Sequence, residues 1–590
     1  MKSLRIISFI AAGLLSAGIL LISCTKDFLI HTPQGQLSAD VLATPAGVNG
    51  LLVGAYAALD GQDVGNANPW SSSVSNWIWG SVVGTDASKG SYSGDQQTMN
   101  EIFNYSPSPD NQFFEDNWKA CYEGISRCNN TLSVLPQVKG LSDADAKNIE
   151  AQAKFLRAHY YFELKRCFNM VPWVDETTTD FNQPNDADIW SKIEADFQFA
   201  VDNLPETQSE IGRVNKWAAV CYLGKTYLYE DKFPDAKTQF DQAIASGKTS
   251  NGVKYDLFTN FEDNFRPEDE AGSPEAVFPV EMAANVGTNS IDNANYGDML
   301  NFPYGSSPFG CCGFFQPRID LVNSFRTDGS GLPYLDDYNS HAVKNDQGLL
   351  SADPFTPDAG NLDPRVDWTA GRRGLPFHDW GIHPGADWIR DQNYAGPFAN
   401  KKNIYWQATP QYHDASSWAP GSAINYLVIR FADVLLMDAE CYAQTNDLDG
   451  AEALVNKVRN RAANKSGWLY KYNDDTNPTG GFSTTPAANY VIAAYPGGYF
   501  TSQDLALKAI YFERKLELAM EGHRFFDLVR WGIADQTINA FINYQRPFSS
   551  DILSSAKFTS PTNNYFPIPQ HEIDITTVAG KATLKQNPGY

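Results

Sequence analysis

Residues 511–532 read YFERKLELAMEGHRFFDLVRWG and hold the densest mixture of apolar bulk and fixed charge in the chain. Counting back to Leu505, positions Leu505, Ala509, Phe512, Leu516, Ala519 and Met520 recur at helical spacing, while Leu507, Tyr511, Leu518 and Phe525 form a second stripe. A helix that is apolar on two sides is buried on two sides, so the spacing predicts a core helix over 505–531. Glu513, Arg514, Glu517, Glu521, His523, Arg524, Asp527 and Arg530 sit among those stripes and need partners there. Two readings compete: acid/base machinery, or an ion-pair clamp that locks the last helix to its neighbours. The clamp is preferred, with Gly522 marking a bend and Trp531 closing the segment.

Those neighbours are helical pairs. Residues 219–244, AVCYLGKTYLYEDKFPDAKTQFDQAI, place Leu223-Gly224, Tyr227, Ala236, Phe240 and Ala243 on the spacing of a tetratricopeptide repeat. Gly224 and Ala236 let two antiparallel helices approach closely, and Tyr227 and Phe240 fill the space between. Ala158 and Tyr161, with Ala195 and Phe199, repeat the register upstream, and Ala439, Tyr442, Ala451 and Val455 repeat it downstream. The expected fold is mainly α: a tetratricopeptide-like array carrying a large loop-rich subdomain and few short strands. Residues 46–247 form the first helical region, interrupted at 62–109 by a Gly, Ser and Asn-rich loop bearing Trp70, Trp77 and Trp79. Residues 248–424 form the loop-rich subdomain, and 425–590 the second helical region with an insertion at 465–500. The tail after residue 564 reads as a surface run.

With 590 residues, 43% of them hydrophobic and 19% charged, the chain can bury a large core. A formal charge of −24 argues against nucleic acid, whose phosphates attract Lys and Arg. Residues 1–23 read as a signal peptide: Lys2 and Arg5 precede an apolar run that ends Leu21-Ile22-Ser23-Cys24. A small residue before cysteine resembles the lipobox of bacterial lipoproteins, so Cys24 is the expected acylation site and 24–45 the tether. Thr25, where an Asp would signal retention, favours the outer membrane. The other cysteines, Cys121, Cys128, Cys167, Cys221, Cys311, Cys312 and Cys441, show no CxxC and imply no disulfide framework.

No catalytic signature is present. His571-Glu572-Ile573-Asp574 lacks the second histidine of a zinc helix, and there is no GxSxG, P-loop or dinucleotide fingerprint. The sequence calls for no cofactor and no dedicated metal set; an adventitious calcium among loop Asp and Asn side chains stays open. The aromatics are the stronger lead, at 13% of the chain with 14 tryptophans. Indole and phenol faces match the C–H faces of sugar rings, and flanking polar groups hydrogen-bond hydroxyls. Trp70, Trp77, Trp79 with Asp86, and Trp388 with Arg390, have that composition and are the candidate ligand residues.

Four features converge: SCTKDFL after the signal, the interrupted helical array, ERKLELAMEGHRFFDLVRWG, and NYFPIPQHEID ahead of a terminal NPGY. Together with DPRVDWTAGRRGLPFHDWG at 363–381, they resemble the SusD/RagB family of outer-membrane lipoproteins over nearly the whole chain. In that resemblance Glu513, Arg514, Glu517, Glu521, Gly522, Arg524, Asp527, Arg530 and Trp531 are the structural signature. The resemblance implies a non-catalytic, surface-exposed protein that captures a glycan and hands it to a SusC-like, TonB-dependent transporter. Peptide binding is a known variant of the family and stands as the alternative, with a surface glycoside hydrolase behind it. Ligand residues differ between members, so none is transferred from the family.

Overall fold

The structure, a computed structural model, describes residues 39–61, 68–286, 295–414, 418–549 and 553–590. Cys24, the signal peptide and most of the tether lie outside the described residues. Eleven helices of the described residues make the frame: α1 (Pro45–Ala57), α2 (Gln112–Val134), α3 (Asp143–Phe168), α4 (Trp190–Asn203), α5 (Lys216–Tyr229), α6 (Phe233–Ser246), α7 (Phe431–Gln444), α8 (Leu448–Ala463), α9 (Gln503–Glu517), α10 (Arg524–Arg530) and α11 (Ala534–Gln545). Successive helices pack on one another from α1 to α6; α7 follows α6 directly across the intervening subdomain, and α8 and α9 pack on α7. The array is therefore continuous in space although it is broken in sequence.

Local chemistry sets the ends. Side chains of Asn111, Ser142, Asn215, Asp447 and Ser502 accept hydrogen bonds from backbone N–H groups in the first turns of α2, α3, α5, α8 and α9. Close helix approach follows the predicted small residues: a Cβ on Gly224 would stand 2.8 Å from the Phe240 ring, and Ala236, Phe240 and Ala243 are fully buried. The same device occurs between α2 and α3, where Gly124 faces the Tyr160 ring. On α4 the register differs from expectation. Ile193, Phe197 and Ala200 enter the core, whereas Ala195 is exposed and Phe199 half-buried.

The tryptophan-bearing segment 68–109 is not a peripheral loop. It forms a π-helical stretch, Trp77–Val82, and then β1 (Ala87–Gly90). Strand β2 (Ala276–Val280) pairs antiparallel with β4 (Tyr426–Arg430), and β1 pairs antiparallel with β3 (Phe314–Pro317), in the register Gly90 to Phe314 and Ala87 to Pro317. The tail is pinned rather than free: Phe566 and Ile568 are buried, and Asn587 donates to the carbonyls of Phe168 and Phe566.

The stretch 505–531 is two helices, not one. It breaks between α9 and α10, where Met520 and Gly522 take φ of 65° and 73°. The break is docked by the tryptophan segment. Met520 N–H donates to Asp86 Oδ2 at 3.2 Å, and Gly522 N–H donates to Ser81 Oγ at 2.9 Å. Here the helix gives up its own hydrogen bonds and receives replacements from residues some 440 positions earlier in the chain.

Candidate functional site

The charged cluster of the signature segment is a buried ion-pair network. Arg365 reaches Asp363 and Glu513 at 2.7 Å and Glu517 at 2.8 Å. Arg430 reaches Glu517 at 2.6 Å and Glu521 at 2.7 Å, and Arg461 pairs with Glu517 and with Glu275. Arg459 holds Glu513, Lys402 holds Glu521, Arg514 joins Asp433 to Asp527, and Arg530 joins Asp527 to Glu440. Trp531 donates its indole N–H to the same Glu440. Burial alone would raise the Glu517 carboxyl, but Arg461, Arg430 and Arg365 outweigh it and hold Glu517 well below the usual carboxylate range. Such a group neither gives nor takes a proton near neutrality. Arg524 departs from the clamp: among the described residues it makes no ion pair, and its guanidinium lies 6.0 Å from the Trp531 ring.

Most of the expected ligand tryptophans are also core. Trp77 and Trp79 are 0% and 1% exposed, and their indole N–H groups donate to the carbonyls of Gly297 and Ser71. Trp77 packs on Phe314 and Phe315, and Trp79 on Phe114 and Phe566, so neither presents a face to a ligand. Trp388 is buried in a small separate core, edge-on to Phe377 and His383. Trp70 is buried beneath Tyr296 and Trp418. Asp86 is buried at the helix break, where the loss of water pushes its carboxyl up to about 7 against the pull of Arg524. The physical reason is common to the four tryptophans: segments without regular apolar stripes build their core from aromatics.

Arg390 is different. At the end of the β1–β3 ladder, Gly90 and Ser91 both take positive φ and turn the chain outward, and Tyr92 projects beyond them at 41% exposure. Arg390 enters this turn from the other side and donates to Ser91 Oγ at 2.8 Å and Asp95 Oδ2 at 2.7 Å. Its guanidinium then lies between two phenol rings, 4.5 Å from the centroid of Tyr92 and 4.7 Å from that of Tyr304. Lys89 braces the turn from beneath by donating to the carbonyls of Tyr92 and Asp95. Burial outweighs Asp95 and brings the Lys89 amine down to about 7.

The third wall is the loop from Tyr304 to Gly313. Tyr304 N–H donates to the Trp388 carbonyl, and Gly313 packs so closely that a Cβ there would stand 3.1 Å from Tyr304 Cβ and 3.4 Å from Arg390 Cβ. In the same loop Cys311, half-buried, is bonded to Cys312. Adjacent cysteines thus form a disulfide where none was expected, while the other described cysteines are free and buried. The result is an open platform: a flat aromatic and guanidinium stack with the Asp95 carboxylate at its edge. Tyr92, Tyr304 and Asp95 were not singled out from sequence; the Gly-Ser turn flanking an isolated tyrosine at 90–94 was the available signal. Among the described residues no group of His, Cys, Asp and Glu is placed to hold a metal ion, and no helix is long and apolar enough to cross a membrane.

The model of the SusD family matches residues 274–590, and a second family model, described as starch-binding and associating with the outer membrane, matches 28–228. SusD-like protein P25 of Formosa agariphila is 26% identical over 499 residues, covering 80% of this chain and 79% of that protein. The starch-binding protein SusD of Bacteroides thetaiotaomicron is 22% identical, covering 90% and 88%. Among solved structures, a SusD superfamily protein from Bacteroides vulgatus superposes with a TM-score of 0.65 at 20% identity, covering 92% of this chain and 99% of that one. A surface glycan-binding protein from Bacteroides thetaiotaomicron, in complex with laminarihexaose, gives 0.63 at 20% identity with the same coverage.

Proposed function

We propose, because this chain belongs to the SusD family, that it is a non-catalytic lipoprotein of the outer-membrane surface that binds a glycan and passes it to a SusC-like, TonB-dependent transporter. The observation that carries the binding reading is the Arg390 guanidinium held between the rings of Tyr92 and Tyr304 on an open surface. Stacked planar groups offer an apolar face to a pyranose ring, and the edge groups Asp95 and Arg390 offer an acceptor and donors to its hydroxyls. Relatives named as starch-binding and glycan-binding proteins support the ligand class and a role in binding rather than catalysis. An acidic chain suits a neutral ligand.

The test is titration of the purified protein with neutral oligosaccharides, maltohexaose and laminarihexaose first, read by calorimetry. Binding that is lost on Tyr92→Ala is expected; flat titrations across a broad glycan panel would remove the reading, and binding of peptides alone would transfer it to the alternative class. Co-purification with a TonB-dependent transporter tests delivery. Failure of Cys24→Ala to shift the protein out of the outer-membrane fraction would refute the anchor.

A further inference from the structure

A cavity of about 580 Å³ opens on the outer face of α2, between that helix, the segment 172–183 and the C-terminal turn at Glu572. It shares no residue with the Tyr92–Arg390 platform. Its volume lies within the range of about 300–1,000 Å³ typical of small-molecule sites.

The wall is aromatic. Tyr122 lies 5.0 Å from the Trp118 ring, and its hydroxyl is fixed by donating to the Pro172 carbonyl at 2.7 Å. Phe181 stands at the rim and is 72% exposed, an unusual state for a phenylalanine on a folded surface. In line with Tyr122 along α2, Ser126 and Asn130 are exposed on the next two turns, and Glu572 of the C-terminal turn is half-buried. Among the described residues none of the three side chains holds a hydrogen bond, so a hydroxyl, an amide and a carboxylate are uncommitted. The other acidic groups of the lining are taken: Glu176 pairs with Arg157, and Asp175 accepts from Thr177, Thr178 and Trp173. Lys119 is paired with Glu115.

We infer that this cavity is a second carbohydrate site, taking a short neutral oligosaccharide whose ring face lies on Tyr122 and Phe181 and whose hydroxyls engage Ser126, Asn130 and Glu572. An anionic ligand is disfavoured by the surplus of carboxylates, and an apolar one would leave the uncommitted polar groups without partners. The site stands apart from the platform in its elements, and its lining holds no guanidinium.

The experiment starts from Tyr92→Ala/Arg390→Ala protein, in which the platform is removed. Calorimetric titration uses maltohexaose, laminarihexaose, cellohexaose, xylohexaose and mannohexaose. At least one is expected to bind, and adding Ser126→Trp, which fills the cavity from an exposed helix position, weakens that binding at least about tenfold. Phe181→Ala weakens it in the same direction, and unchanged thermal midpoints show that the fold is intact. No binding of any probe to the starting variant overturns the inference, as does binding that survives both Ser126→Trp and Phe181→Ala. If wild-type binding survives Tyr92→Ala/Arg390→Ala in full and is removed by Ser126→Trp, the cavity stands and the platform reading falls.

Discussion

Gly80 and Gly522 meet backbone to backbone: a Cβ on Gly80 would stand 1.7 Å from the Gly522 carbonyl oxygen. Gly522 is enclosed from the other side by the Ser75 carbonyl, 2.2 Å from where its own Cβ would be, and it sits at a φ of 73°. This contact joins the tryptophan segment to the break between α9 and α10, and no side chain fits in it.

Gly80→Ala and Gly522→Ala are therefore expected to cost about 3 kcal/mol or more each, from steric overlap at both positions and from left-handed backbone strain at Gly522. Gly54→Ala is the control. That glycine lies within α1 with open space around its Cβ position, and alanine there should stabilise by about 0.5–1 kcal/mol. Urea unfolding of the three variants checks the ordering. Equal effects at Gly54 and Gly80 would show that the contact is not made.

Glu517 is the carboxylate on which Arg365, Arg430 and Arg461 converge. Glu517→Gln keeps the shape but leaves three buried guanidinium groups short of an anion, a loss expected to cost about 3–5 kcal/mol. Arg524→Ala removes packing on Trp531 without breaking an ion pair and should cost about 1 kcal/mol. Glycan affinity of the folded fraction should be unchanged in both. A selective loss of binding at full stability in Glu517→Gln would return the cluster to the functional surface.

Asp438 supplies a pH dependence of opposite sense to that of Glu517. Both its carboxylate oxygens are buried without a hydrogen bond on α7, and burial, aided by Asp241, pushes its carboxyl up to about 8 against the pull of Lys237. The folded state thus binds the proton more tightly than the unfolded chain. Its contribution to stability is full below the unfolded value of about 4 and is lost as pH rises from there toward 8. Asp438→Asn cannot ionise, so its stability relative to wild type should improve steadily between pH 5 and pH 8, by about 1–3 kcal/mol overall. Denaturant midpoints at a series of pH values check the slope; parallel curves would show that Asp438 does not titrate in this interval. Glu517, held low by its arginines, acts the other way: its stabilisation is present above the unfolded value and fades only as the medium becomes strongly acidic.

The array was legible in sequence because its determinants are local. Gly224 and Phe240 lie within one helical hairpin, and their spacing alone states that two helices approach closely. The clamp was legible for a related reason, since charges set between two apolar stripes have to be paired inside. What pairs them was not: Arg365 comes from an irregular segment and Arg430 from the end of β4, 152 and 87 positions from Glu517. Distance in sequence also hid the fate of Trp79, whose packing partners are Phe114 and Phe566. A tryptophan in a glycine-rich loop looks the same whether it faces water or a phenylalanine nearly 500 residues away. Arg390 was picked out by its composition, but its setting depends on a turn at 90–95 that only the β1–β3 register brings to it.

The platform and the buried tryptophans make opposite predictions. Trp77→Ala and Trp79→Ala remove core volume and should cost about 3–5 kcal/mol of stability, with affinity unchanged in the protein that remains folded. Arg390→Ala should leave stability within about 0.5–1 kcal/mol, because its ion pair with Asp95 is partly exposed, with about a quarter of each side chain open to water. Its effect belongs in binding, where losing the planar surface between Tyr92 and Tyr304 and the donors at its edge should weaken glycan affinity about tenfold. Arg390→Lys separates shape from charge: a lysine restores the cation and its pairing with Asp95 but has no flat face to stack. Affinity in Arg390→Lys is therefore expected to stay close to that of Arg390→Ala, and recovery to the wild-type value would mean that charge, not the stacked plane, is what the ligand meets. Calorimetry on the three Arg390 forms, with thermal midpoints measured alongside, decides between them.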